Sequence, residues 1–153
     1  MKLKSIPGLE HATKLQKLDV HGCTELEELP NMETLVSLVE LEAEGCVKLK
    51  SIPGLEHATK LRGLYVSGCT ELEELPNMET VVSLRYLSAQ RCLKLKNIRG
   101  LEHATKLAKL DVSGCWELEE VEGVEDCRWL KKLDVSRCPK LQCPTWDSGV
   151  VES

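Results

Sequence analysis

The sequence predicts an α/β solenoid, a right-handed curved arc in which repeats of 23 residues stack with short parallel strands on the concave face and turns or 3₁₀ segments on the convex face. Three observations carry the prediction. Cys23, Cys46, Cys69, Cys92, Cys115 and Cys138 are separated by 23 residues at every step, and a fixed period of that length marks a stacked-repeat architecture. Apolar residues hold a constant frame around them, LxxLx[VA]xxCxxLxx[LIV], starting at Leu15, Leu38, Leu61, Leu84, Leu107 and Leu130. The phrase "LDVHGC" at 18–23 returns as "LYVSGC" at 64, "LDVSGC" at 110 and "LDVSRC" at 133.

A half repeat, Leu3 and Ile6, precedes the full copies. In the first copy Leu18 and Val20 alternate with Lys17, Asp19 and His21, the period-two pattern of a strand with one buried and one wet face. Segments such as "IPGLEHATKL" and "LPNMETLVSL" return the chain to the next strand. They are too short for a long helix at 3.6 residues per turn, and Pro7, Pro30, Pro53 and Pro76 open them, so 3₁₀ turns, β-turns and extended pieces are expected. Strands stack about 4.8 Å apart and the bulkier return segments need more room, which bends the stack with its strands inside. Residues 1–144 are expected to form the repeat domain, and 145–153 a tail or cap in which Trp146 folds over the last layer. The first layer has only Met1 to Ile6 to cover it, so a natural N-terminal neighbour or self-association through that end is expected.

Composition narrows the functional classes. Aromatics are 3% of the 153 residues and phenylalanine is absent, so burial rests on leucine columns at roughly 2 kcal/mol per fully buried side chain. A formal charge of −5 argues against a general nucleic-acid or anionic-membrane binder. No apolar run approaches the ~20 residues that span a bilayer, and "MKLKSIPGLEHATK" lacks the apolar stretch of a secretory signal; a cytoplasmic location is expected. Zinc ligands come in close pairs that converge on a point, whereas the six cysteines form a row, so they are read as buried thiols bonding weakly to a neighbouring turn in a reducing compartment. Cys127 falls in an apolar column with Ala12, Leu35, Ala58, Val81 and Ala104, and Cys143 in a surface column with Glu28, Glu74 and Glu120. Cys143 is therefore the candidate for a free reactive thiol. His11, His57 and His103 recur every 46 residues, too far apart to share a metal, and no catalytic set, cofactor site or metal site is assigned.

The phrase LxxLxVxGCxxLxxLP resembles a leucine-rich repeat, and the 23-residue form with Cys in the ladder position and "ELEELP" after it resembles the C-terminal repeats of plant intracellular nucleotide-binding leucine-rich-repeat immune receptors. The likeness runs from residue 3 to about 144. It implies a binding module of plant disease resistance whose partner is a pathogen protein or another domain of the same receptor. No GxxxxGK[ST] occurs, so no phosphate-cradling loop accompanies it.

A second period lies above the first. "LKSIPGLEHATKL" at 3–15 recurs at 49–61, and "CTELEELPNMET" at 23–34 recurs at 69–80. Glu25, Lys48, Glu71, Lys94, Glu117 and Lys140 share one column, as do Glu27, Lys50, Glu73 and Lys96, so opposite charges are expected to neighbour each other and fix the register.

The return segments are nearly identical, whereas the outward strand positions differ from copy to copy. Glu40, Glu42 and Glu44 predict an acidic end, Tyr65 and Tyr86 a central pair, and Lys109, Lys131, Lys132 and Arg137 a basic end. With Lys17, Asp19, Arg62, Arg85 and Arg91 they make the predicted protein-binding face, with tyrosine and arginine as anchors and opposed charges orienting the partner. Two other roles fit the same repeat: the substrate-recognition arm of a ubiquitin ligase, and a consensus-like scaffold with no specific ligand.

Overall fold

The computed structural model describes residues 3–142 and 151–152. Each repeat supplies one three-residue strand: β1 (Lys17–Asp19), β2 (Glu40–Glu42), β3 (Gly63–Tyr65), β4 (Tyr86–Ser88), β6 (Lys109–Asp111) and β8 (Lys132–Asp134). They lie side by side in sequence order, all parallel, and β9 (Val151–Glu152) adds a last strand beside β8. The register advances by one repeat per strand, Lys17 facing Glu40, then Gly63, Tyr86, Lys109 and Lys132. The middle residue of each strand, Leu18 through Leu133, is buried, and so are Val20, Val66 and Val112 directly after the strands. This is the predicted curved solenoid. No helix among the described residues is long and apolar enough to cross a membrane.

The cysteines are a ladder. From Cys46 onward each thiol donates to the carbonyl 26 residues earlier, Cys46 to Val20 at 3.1 Å, Cys69 to Ala43 at 3.0 Å, Cys92 to Val66 at 3.3 Å, Cys115 to Ala89 at 2.9 Å and Cys138 to Val112 at 3.0 Å. A small polar side chain suits that place because the bend after each strand puts a carbonyl inside the core, and the thiol gives it a second donor beside the backbone N–H three residues on, as of Cys23 to Val20 at 3.2 Å and Cys46 to Ala43 at 3.3 Å. Cys127 is buried, as its column predicts, and it also donates 26 residues back, to Leu101 at 3.3 Å. Cys143 and Trp146 lie outside the described residues.

On the return side, 3₁₀ turns form at Leu9–His11, Leu55–His57, Met78–Thr80, Leu101–His103 and Val124–Asp126. Two of the extended pieces, β5 (Asn97–Ile98) and β7 (Glu120–Val121), pair as a second parallel sheet that sequence reading does not anticipate. Both layers that form it lack the proline of the earlier repeats, with Arg99 after β5 and Glu122 after β7. The Glu122 N–H donates to the Ile98 carbonyl at 2.8 Å; the matching positions in earlier layers are Pro30, Pro53 and Pro76, which have no N–H to give, and Arg99, whose N–H makes no such bond to Leu75.

The 46-residue period also has a structural cause. Asn31 and Asn77 each accept the N–H two residues on, from Glu33 and Glu79 at 3.0 Å, and so cap their own turns. The next layer approaches these caps with Gly54 and Gly100, at φ +82° and +84°, and a Cβ at either would collide with the asparagine Oδ1. Thr34 and Thr80 then reach back to the carbonyls of Glu10 and Glu56 at 2.6 and 2.5 Å. An asparagine-capped layer therefore fits between glycine-type layers. The alternation stops at Gly123, which closes on Glu102 instead, and Glu102 Oε2 is buried there without a hydrogen-bond partner.

The charge columns resolve into discrete pairs. Lys48 meets Glu25 at 2.8 Å, Lys94 meets Glu71 at 2.5 Å and Lys140 meets Glu117 at 2.7 Å. Every lysine reaches toward the preceding layer, so pairs form within each 46-residue unit. Among the described residues the companion column of Glu27, Lys50, Glu73 and Lys96 contains no ion pair.

Candidate functional site

The first and third residues of the six three-residue strands belong to the concave face, and the turn that follows adds a third row. At the acidic end, the Lys17 ammonium lies 3.8 Å from Glu40 and 3.5 Å from Glu42, so the neighbouring strand partly neutralises two of the three glutamates that the sequence places together. Glu44 remains exposed. Asp19 takes the backbone N–H of His21 at 3.1 Å and its Nδ1 at 2.6 Å. This bond to His21 holds the Asp19 carboxyl below its usual range and, reciprocally, raises His21 above its ordinary value of 6.5.

Asp111 and Asp134 form the same local turn, accepting from the N–H of Ser113 and Ser136, each at 3.0 Å. Asp111 is also 6% exposed and takes a bond from the Gln90 amide. Some of the variety along this face thus serves the turns.

The centre is built on Gly63. A Cβ there would lie 2.8 Å from Tyr65 Cε2 and 2.9 Å from its hydroxyl oxygen, so the Tyr65 ring lies back over the Gly63 backbone, half-buried. Burial first, and then the charges of Glu40 and Glu42, push the Tyr65 phenol above its usual range. Tyr86, facing Gly63 on the adjacent strand, is 44% exposed. The two tyrosines are adjacent as the sequence implies, one lying flat and one projecting.

Above the strands runs a row of Gly22, Gly45 and Gly68 with φ between +71° and +79°, and the row continues with Arg91 at φ +58°. Among the described residues, Arg91 and Arg137 are the non-glycine residues in this left-handed region. The row floors a hollow of about 680 Å³ walled by His21, Glu42, Glu44 and Arg91. Asp19, His21 and Glu42 bring ligand-type atoms within 4.8 Å of one another on its flank. The group is solvent-facing, and Lys17 already occupies Glu42.

Arg62, Arg85, Lys109, Lys131 and Lys132 are exposed at the surface, with Lys109 and Lys132 paired across β6 and β8. Sequence reading missed Trp129, 67% exposed, beside Arg85, Tyr86, Lys106 and Lys131. Its signal was present: the column Lys14, Ser37, Lys60, Ser83, Lys106 alternates, and tryptophan stands where the next serine would fall. The thiols offer no reactive centre among the described residues with a raised value; burial pushes Cys69 up to about 12, and Cys127 and Cys138 up to about 11, far from thiolate formation at neutral pH.

Parallel strands inside, 3₁₀ turns outside and a buried residue column at each repeat define a leucine-rich-repeat solenoid. Residues 47–137, more than half of the chain, match the leucine-rich-repeat domain of endo-β-N-acetylglucosaminidase EndoS, and the chain belongs to that leucine-rich-repeat family. Among solved structures it resembles the leucine-rich-repeat domain of the type III effector XCV3220 (XopL), with 22% identity, 91% of this chain and 68% of that chain covered, and a TM-score of 0.53. Weaker likenesses are to TLR13 in its complex with ssRNA13, at 17% identity, 84% and 22% coverage and a TM-score of 0.47, and to the functional domain of InlJ from Listeria monocytogenes, which includes a cysteine ladder, at 17% identity, 88% and 46% coverage and a TM-score of 0.31. No curated protein matches the chain in sequence. Leucine-rich-repeat domains serve in general as non-catalytic scaffolds that bind other proteins on an extended concave surface.

Proposed function

We propose that this chain is a recognition module that binds a protein partner on its concave face, centred on Tyr65, Tyr86, Arg62 and Arg85, and that it belongs to the sensing region of a plant immune receptor acting in the cytoplasm. The partner is a pathogen protein or another domain of the same receptor. One observation carries the choice of face: repeats that copy their return segments almost unchanged change their outward residues, Lys and Asp on β1, β6 and β8 giving way to Glu and Glu on β2, Gly and Tyr on β3, and Tyr and Ser on β4. Two features support it. Arg91 and Arg137 hold a backbone conformation that costs about 1 kcal/mol or more for a non-glycine residue, at positions where glycine serves four other layers. The Tyr65 ring is seated on a glycine that leaves room for it, and rigid aromatics make good anchors.

Residues 1–144 act as the binding domain in this proposal and 145–153 as its cap, supported by the pairing of Val151–Glu152 with β8. Self-association through the thinly covered N-terminal end belongs to the same proposal, with Leu3 37% exposed there.

Selection of a displayed library of small protein domains against the chain tests the face. Binders are expected to lose affinity by at least about tenfold on the double change Tyr65→Ala and Tyr86→Ala, and to ignore Lys60→Ala in a return segment. A set of binders indifferent to the tyrosines overturns the assignment.

A further inference from the structure

We propose that the hollow between Tyr86 and Trp129 docks an acidic, extended peptide segment of a protein partner; the inference rests on the concave-face reading above and names the chemistry of its ligand. The hollow, about 420 Å³, opens where the chain enters β4, β6 and β8, lined by Arg85, Tyr86, Lys106, Ala108, Trp129 and Lys131. Its two aromatic rings are 44% and 67% exposed. Large apolar faces left side by side in water are characteristic of a binding surface.

Charge sets the occupant. Three cations surround the rings, and no carboxylate lines the hollow. Elsewhere Lys17, Lys48, Lys94 and Lys140 each have a glutamate within reach, whereas among the described residues Arg85, Lys106 and Lys131 have no such ion pair. In a chain of net charge −5 this leaves a concentrated positive site without an ion-pair partner among the described residues. A carboxylate from outside supplies one, with the guanidinium of Arg85 able to take it through two parallel bonds, while an apolar side chain between two carboxylates packs on Tyr86 and Trp129.

Length agrees with this occupant. The site crosses three successive strands, roughly 10 Å at about 4.8 Å per step, the reach of about three extended residues at roughly 3.3 Å each. A carboxylate–apolar–carboxylate triplet fits that span. Nucleic acid fits less well: three cations over this distance neutralise few phosphates, and the same face turns to Glu40, Glu42 and Glu44 at its other end.

Fluorescence anisotropy on the full chain provides the test, with three labelled probes: a decapeptide carrying a central Glu-Leu-Glu-Leu-Glu, its Gln-for-Glu counterpart and a single-stranded oligonucleotide of equal formal charge. The glutamate peptide is expected to bind at least about tenfold more tightly than the other two. Trp129→Ala, and the pair Lys106→Gln with Lys131→Gln, are each expected to weaken it about tenfold with an unchanged circular dichroism spectrum, while Lys131→Arg preserves binding. No binding of the glutamate peptide, equal binding of the glutamine peptide, tighter binding of the oligonucleotide, or indifference to Trp129→Ala overturns the assignment. If library binders still depend on Tyr65 in any of those cases, the concave-face reading stands and only the acidic-peptide site is lost.

Discussion

Single residues in this fold act through the layer next to them. His21 and Asp19 show how far a purely local bond shapes the concave face: their 2.6 Å contact raises the imidazole and lowers the carboxyl. The protonated ring therefore contributes stability that is fully present below the unfolded-state value of 6.5 and lost as pH rises through the higher folded-state value. NMR titration should place the His21 midpoint above 6.5, and Asp19→Asn should return it toward 6.5. A midpoint unmoved by that change would show the contact to be unformed in solution. Gly63 and Tyr65 make the same point sterically. The glycine matters because its missing side chain is the space occupied by the ring two residues on, a relation that strand alternation alone does not disclose.

At the scale of elements, one backbone N–H helps to close the sheet on the convex side. Positions 30, 53 and 76 show that this part of the repeat accepts the proline backbone, so Glu122→Pro removes the N–H with little other disturbance. The bond to Ile98 should disappear with a loss of about 1 kcal/mol, seen as a lower urea midpoint, while Glu122→Ala should leave the midpoint nearly unchanged. Equal midpoints for the two variants would mean the bond adds nothing. The five-rung thiol ladder obeys a related logic: it adds a second donor to carbonyls that the strand-to-turn bend places inside the core.

For the whole molecule, the true structural unit is two repeats long. Asparagine caps, glycine seats, threonine reach-backs and Glu–Lys pairs all join layers of unlike type. Removing residues 47–92 brings unlike layers together again. Removing 47–69 sets Asn77 against Asn31 with no glycine between them and Glu71 against Glu25. The 23-residue deletion should consequently be less stable than the 46-residue deletion by at least about 2 kcal/mol in urea unfolding, although a stack that merely sums its repeats gives the opposite order. Finding that opposite order would dispose of the two-layer unit.

By itself the sequence determined the period, the strand positions, the buried columns and the side of the ribbon that varies, because a solenoid turns spacing along the chain directly into neighbours in space. Cys46 and Cys69 could be placed in one ladder, and Cys127 in the core, from their columns alone. Only the tertiary structure decided which neighbours touch. Whether Lys48 turns to Glu25 or Glu71, whether Tyr65 stands or lies down on Gly63, and whether Trp129 stands beside Tyr86 depend on rotamers and on distances between layers, and a column of letters carries neither.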